Sequence, residues 1–260
     1  VFLLLSVHVI AHTAHVKDRT FGAFALAPLS RLYSVAIPAL LLSFVCGWVA
    51  LAINADAFIA SSPADANFSG AGMLEQLLRG LTFTNYVWWD SQRIVANGPY
   101  WSVSYEFWYY VLFGAGLFLR GRIRIWTIAL ISLLVGPPVL LLAPCWLVGV
   151  AVQKALATGF ADDLSRGRAW RFAVLPLPIY AGLLAIGAPE ALTTLTRQML
   201  GGVSPKVFFF SDEFLWNFVI ALLVAAHFLG MARLLASGSQ LLQRGATAIR
   251  WIAGRTFSLY

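Results

Sequence analysis

Ser102, Glu106 and Tyr109 stand at i, i+4 and i+7, a spacing that puts a hydroxyl, a carboxylate and a phenol on one face of a helix. They belong to the stretch Asn97-Gly-Pro-Tyr-Trp-Ser-Val-Ser-Tyr-Glu-Phe-Trp-Tyr-Tyr110, in which a turn leads into an apolar run that contains the carboxylate. A charged side chain near the centre of a membrane helix costs about 2.5–3.5 kcal/mol, so it normally faces a polar cavity or a partner. Glu106 is therefore either a working group on a polar stripe or a carboxylate held near the headgroups by Tyr and Trp hydrogen bonds.

Two further sets of residues have chemical capacity. Arg31, in Ala27-Pro-Leu-Ser-Arg-Leu-Tyr-Ser-Val-Ala-Ile-Pro38, stands at the entrance of another apolar run. Its guanidinium could clamp a phosphate or carboxylate, or it could anchor the helix by snorkelling to the headgroups. His8, His12 and His15 repeat the i, i+4, i+7 spacing. They could supply a base that takes a proton from a hydroxyl, or sit at a helix end. No carboxylate or cysteine at ligand spacing completes a metal set around them, and no metal site is predicted. Cys46 and Cys145 lie in or beside apolar runs without metal-ligand spacing and are expected to be small buried residues.

The elements that must position these groups are membrane helices. The chain has 260 residues, 60% of them hydrophobic and 11% charged, whereas soluble domains are about 45–50% apolar and about 25% charged. The net charge of +7 is carried in short clusters between apolar runs, the pattern of orientation signals and not of a nucleic-acid surface. Long crossings are predicted at Leu32–Ile53, Trp101–Leu119, Ile125–Leu142, Phe172–Ile186 and Phe214–Leu235. Val1–Thr13 and Ile249–Tyr260 are expected to be incomplete crossings, and the N-terminus lacks the features of a signal peptide. Trp146–Leu156 follows Pro137, Pro138 and Pro144, which allow either a hairpin of two crossings or one kinked span.

Charge parity chooses between the last two. With Trp146–Leu156 counted as a crossing, one side receives Lys17, Arg19, Arg31, Arg120, Arg122, Arg124, Lys154, Arg166, Arg168, Arg171, Arg233, Arg244 and Arg250, thirteen of the eighteen basic residues. Since Lys and Arg collect on the cytoplasmic side, the expectation is an all-α polytopic transmembrane bundle. It has one membrane-embedded domain over residues 1–260 and about eight spans, the first and last incomplete. The cytoplasmic loops are then 14–31, 120–124, 157–171 and 236–248. An outer loop over residues 54–100 carries Asp56, Asp65, Glu75 and Asp90. It is either a binding surface or a solvated connector with Trp88 and Trp89 in an interfacial belt. Repeats, low-complexity tracts and Gly-rich phosphate loops are absent from the sequence.

At these residues the chain resembles the acyltransferase-3 family of integral membrane acyltransferases, which includes bacterial O-antigen and exopolysaccharide O-acetylases. Four blocks in family order carry the resemblance: Phe2-Leu-Leu-Leu-Ser6 with Val9-Ile10, Ser30-Arg-Leu-Tyr33 with Pro38, Gly98-Pro-Tyr-Trp-Ser-Val-Ser-Tyr-Glu-Phe107, and Thr256-Phe-Ser-Leu-Tyr260. The Trp-Ser-x-Ser-x-Glu block is the most specific. Val7 and His8 stand where Gly and Phe are usual, and Pro28 stands three before Arg31 where a second Arg is common. The family's catalytic histidine would lie upstream of Val1, so this piece alone is expected to be inactive.

The resemblance implies transfer of an acyl group, most often acetyl, from acyl-CoA to a hydroxyl of a carbohydrate at or beyond the outer face of the inner membrane. It assigns Glu106, Ser102 and Tyr109 to the catalytic cavity and Arg31, Trp101 and Tyr105 to substrate binding. Acyl-CoA is implied as donor substrate, with no bound cofactor. The partners implied are membrane lipid and a carbohydrate acceptor. Rival readings of the same polar stripe are a transporter or flippase of a lipid-linked saccharide and an inactive remnant of the enzyme.

Overall fold

A computed structural model describes residues 21–62, 67–88, 90–201 and 208–236. The predicted crossings at Val1–Thr13 and Ile249–Tyr260, the three clustered histidines and the 236–248 loop beyond Ala236 lie outside them.

The described chain is helical, as expected of a segment that must satisfy its backbone hydrogen bonds internally. The first helix, α1, runs Phe21–Ser61 through Pro28 and Pro38 and breaks only at Asn54 (φ −157°, ψ 89°). There the Asn54 Oδ1 accepts from the Ala57 N–H at 3.0 Å, so the side chain caps the segment that continues to Ser61. The predicted loop at 54–100 therefore begins with helix and holds another, α2 (Gly70–Leu81), capped by Ser69. A two-rung antiparallel ladder follows, pairing β1 (Tyr86–Val87) with β2 (Asp90–Ser91) in the register Tyr86↔Ser91 and Val87↔Asp90. A 3₁₀ turn over Gly98–Tyr100 then leads into α3 (Trp101–Phe118).

The predicted span Ile125–Leu142 is two elements. Helix α4 (Gly121–Val135) stops at Gly136, whose φ of 77° few side chains tolerate, and α5 (Pro137–Ala157) starts on the next residue. Pro144 lies inside α5 instead of breaking it. Two helices therefore stand where a hairpin of two crossings was expected, with the break at Gly136 and not in the Pro144 region. The predicted 157–171 loop is shorter than expected, because Ser165 caps a helix, α6 (Arg166–Val174), by accepting from the Arg168 N–H. The predicted Phe172–Ile186 span is accordingly built from the end of α6 and α7 (Pro176–Ala185), joined at Leu175 with helical backbone. After α8 (Ala188–Met199) and a 3₁₀ turn over Phe209–Glu213, α9 (Phe214–Ala236) completes the described chain.

Side-chain contacts fix the directions. Phe24 packs on Phe113 and Phe118 while Asn97 bonds Ser43, so α1 and α3 are antiparallel. Tyr109 bonds the Val139 carbonyl and Phe113 meets Trp146, so α3 and α5 run the same way. Tyr180 stacks on Trp216, His227 bonds the Ala173 carbonyl and Arg233 the Leu164 carbonyl, so α9 runs against α6 and α7. The starts of α4 and α6 and the ends of α5 and α9 thus share one face, which carries Arg120, Arg122, Arg124, Lys154, Arg166, Arg168, Arg171 and Arg233.

Among the described residues three helical stretches are long and apolar enough to cross a membrane: Phe24–Ser61, Pro137–Ala157 and Ser211–Ala236. A fourth is added if Arg166–Ala185 and Ala188–Met199, bent by 71°, form one broken span. Helix α4, with 15 residues, is shorter than a typical crossing. These helices define a membrane-type bundle; they do not by themselves give eight crossings. Its outer surface fits lipid. Leu41, Leu42, Val45, Trp48 and Ile53 on α1 and Ile123, Ile125, Trp126, Leu130 and Leu133 on α4 are exposed, a larger apolar surface than water-soluble monomers leave uncovered. Cys46 lies on this exposed side of α1 and is not the buried residue expected, whereas Cys145 is buried.

Candidate functional site

Helix α3 is the post around which the site is built, because neighbours hold it on several sides. Ser104 Oγ donates to Asn85 Oδ1, and Trp108 Nε1 donates to the Phe83 carbonyl at 2.9 Å. The Tyr105 hydroxyl lies 3.3 Å from Ser211 Oγ, which donates to the Pro138 carbonyl at 2.6 Å. The Tyr109 hydroxyl donates to the Val139 carbonyl at 2.7 Å. Each bond satisfies a polar group that would otherwise be stranded in apolar surroundings. Together they also fix the rotation of α3 about its axis, which turns Ser102 and Glu106 towards α1.

Arg31 meets them there. Its Nη2 lies 3.7 Å from Glu106 Oε1, with the arginine side chain 30% exposed and the glutamate 3%. The Tyr110 hydroxyl donates to the same Glu106 oxygen. Arg31 Nη1 is buried and has no hydrogen-bond partner among the described residues. A cavity of about 110 Å³ opens beside the pair, lined by Arg31, Asn97, Pro99, Tyr100, Ser102 and Glu106 together with apolar residues of both helices. The Ser102 hydroxyl donates back to the Pro99 carbonyl at 3.0 Å, which leaves its oxygen able to accept.

Of the residues singled out in the sequence, Arg31, Ser102 and Glu106 come together. Helix α1 is already formed at Phe21, so Arg31 lies within it, about 15 Å further along at ~1.5 Å per residue. The Arg31 guanidinium and the Glu106 carboxylate therefore border one cavity. Tyr105 and Tyr109 are buried but face α5 and the Ser211 turn, and Trp101 is half-buried with its ring against Tyr105, 5.3 Å between centroids. None of these three lines the cavity.

Two contributors were missed. Tyr110 is one helical turn beyond Glu106, a spacing visible in the sequence, but the i+7 position at Tyr109 fitted the stripe equally well. Asn97 lies in the turn before the helix, and no local pattern shows that its side chain reaches Ser43 at 2.9 Å. Among the described residues no group of three or more His, Cys, Asp or Glu side chains could hold a metal ion.

Comparison of the chain with protein-family models, with curated proteins and with solved structures finds no match.

Proposed function

We propose that the chain is a multi-pass inner-membrane acyltransferase, carrying an acyl group from acyl-CoA to a hydroxyl of a cell-surface or lipid-linked carbohydrate. The observation that supports this best is the buried Glu106 carboxylate, paired with Arg31 and opening onto a cavity that also holds Ser102. Esterification needs a group to take the acceptor's proton and a positive group to stabilise charge on the thioester oxygen or the donor's phosphates. Glu106 takes the proton directly or orients a histidine that does. Arg31, with Nη1 unengaged among the described residues, meets the negative charge. The hydroxyl oxygen attacks the thioester carbon, the carbon–sulfur bond breaks, and the proton ends on the coenzyme A thiol. A cavity of about 110 Å³ suits a small acyl group such as acetyl better than a long chain.

The test is the O-acetyl content of surface polysaccharide in a strain lacking the gene, complemented with wild type, Glu106→Gln or Arg31→Ala. Wild type is expected to restore acetyl groups while both variants do not, with polymer exported in every strain. Loss of the polymer itself would favour the transporter reading, and full transfer by both variants would remove the assignment of these residues.

A further inference from the structure

On the face of the bundle away from the arginine-rich turns, a second cavity of about 250 Å³ lies between the end of α1, the turn before α2 and the segment that leads into α3. Phe58 and Phe68 form one wall, their rings tilted by 52° with centroids 5.3 Å apart. Ser61, Ser62, Arg93 and Asn97 supply the polar lining. Both serine hydroxyls donate to the Phe58 carbonyl, so their oxygens remain able to accept. Gln76 helps to shape the wall. Its carboxamide donates to the Asn67 carbonyl and accepts from the Val95 N–H, each at 2.9 Å. Ala96, at the rim, is held at φ 54°, a conformation that a non-glycine residue rarely adopts and that tends to mark functional turns.

Asn97 lines this cavity and the Arg31–Glu106 cavity alike, so the two are neighbours that share one residue. Aromatic walls with a few polar groups and one cation match a ring that has an apolar face, hydroxyls and an acidic substituent. A guanidinium such as that of Arg93, which is exposed at the cavity, pairs with carboxylate or phosphate in a two-pronged way. We infer that this cavity binds a saccharide unit carrying a carboxylate or phosphate, with Arg93 selecting the acidic group and the Phe58–Phe68 wall holding the ring. The inference rests on the acyltransferase reading and gives its acceptor site.

The experiment measures binding to the full chain in detergent by equilibrium dialysis. The probes are a glucuronic-acid-containing tetrasaccharide, its carboxyl-reduced neutral counterpart, glucose 1-phosphate and inorganic phosphate. Wild type is expected to bind the acidic tetrasaccharide or glucose 1-phosphate at least tenfold more tightly than the neutral sugar, and more tightly than inorganic phosphate. The stronger of the two acidic probes identifies the acidic group. Arg93→Gln should erase that preference, Arg93→Lys should retain part of it, and Phe68→Ala should weaken acidic and neutral sugars equally. Equal binding of acidic and neutral sugars by wild type, or an unchanged preference in Arg93→Gln, overturns the inference even if acyl transfer is observed. Arg93-dependent binding, with no acyl groups added to surface polysaccharide in the strain carrying the complete gene, upholds the saccharide site and removes the acyltransferase reading instead.

Discussion

Glu106 and Arg31 would each be costly alone, but not equally. The glutamate is 3% exposed and the arginine 30%, so an arginine deprived of its partner can rehydrate, whereas the glutamate cannot. Arg31→Met, which removes the cation from a buried carboxylate, is expected to cost about 3–5 kcal/mol. Glu106→Gln should cost about 1–2 kcal/mol. A double-mutant cycle read by thermal unfolding in detergent should show the double variant less damaged than the sum of the singles. Strict additivity would mean that the pair does not interact, and equal losses in the single variants would contradict the difference in exposure. Tyr109 and Tyr110 divide in the same way. Tyr110→Phe removes a donor to Glu106 and is expected to slow acyl transfer at least tenfold. Tyr109→Phe removes a bond to the Val139 carbonyl and should lower stability by about 1 kcal/mol with the rate per folded molecule unchanged. Transfer rates normalised to folded protein separate the two.

At the scale of elements, two glycines decide how helices meet. Gly136 closes the α4–α5 turn at φ 77°, and a Cβ there would lie 2.9 Å from the Trp88 ring and 3.0 Å from the Trp88 Cα. Gly136→Ala therefore combines a strained backbone, at about 1–3 kcal/mol, with a clash against main chain. It should also displace Trp88, whose N–H and indole N–H donate to the Val135 and Leu133 carbonyls. Gly98→Ala is the control, since nothing lies within 4 Å of its added methyl and its φ is not positive. Gly136→Ala should lower the midpoint of unfolding clearly while Gly98→Ala barely moves it; equal effects would contradict the turn geometry. Gly230 lets α9 approach α6 so closely that a Cβ would meet the Ala173 N at 2.4 Å and the Ala169 O at 2.7 Å. Small residues at such crossings are how membrane helices gain packing where lipid supplies little hydrophobic drive. Gly230→Ala is expected to part α6 from α9, which cross-linking between cysteines placed on the two helices would report as a lost product.

For the whole molecule, antiparallel packing puts most of the charged turns on one face and the α2 region, β-ladder and Glu190 on the other. In a variant with Cys46 and Cys145 replaced by serine, cysteines introduced at the exposed positions Arg122 and Glu190 are expected to label from opposite sides of the membrane. With basic loops cytoplasmic, a membrane-impermeant maleimide should reach Glu190→Cys in intact spheroplasts and Arg122→Cys only after the vesicles are inverted. Labelling of both from one side would break the topology. The two cavities join this layout to the proposed chemistry, because Asn97 borders both.

The sequence by itself determined what its composition and periodicity force. Long apolar runs must be helices, since lipid offers no partner to a bare peptide group, and the asymmetry of arginine set which turns share a face. It also marked Arg31, Ser102 and Glu106 as groups with chemistry. Tertiary structure decided which of them meet. The rotation of α3 is set by bonds to Asn85, Phe83, Ser211 and Val139, partners 19 to 106 residues away in the chain, and no local pattern records such distances. Helix ends were hard to place for a related reason. Gly136 acts through a backbone angle at a single position inside an apolar stretch, where average hydrophobicity changes little, and Asn54 and Ser165 act through side-chain caps in segments that read as loops. Proline, the stronger signal in sequence, proved the weaker one in the fold, because Pro28, Pro38 and Pro144 are all carried inside helices.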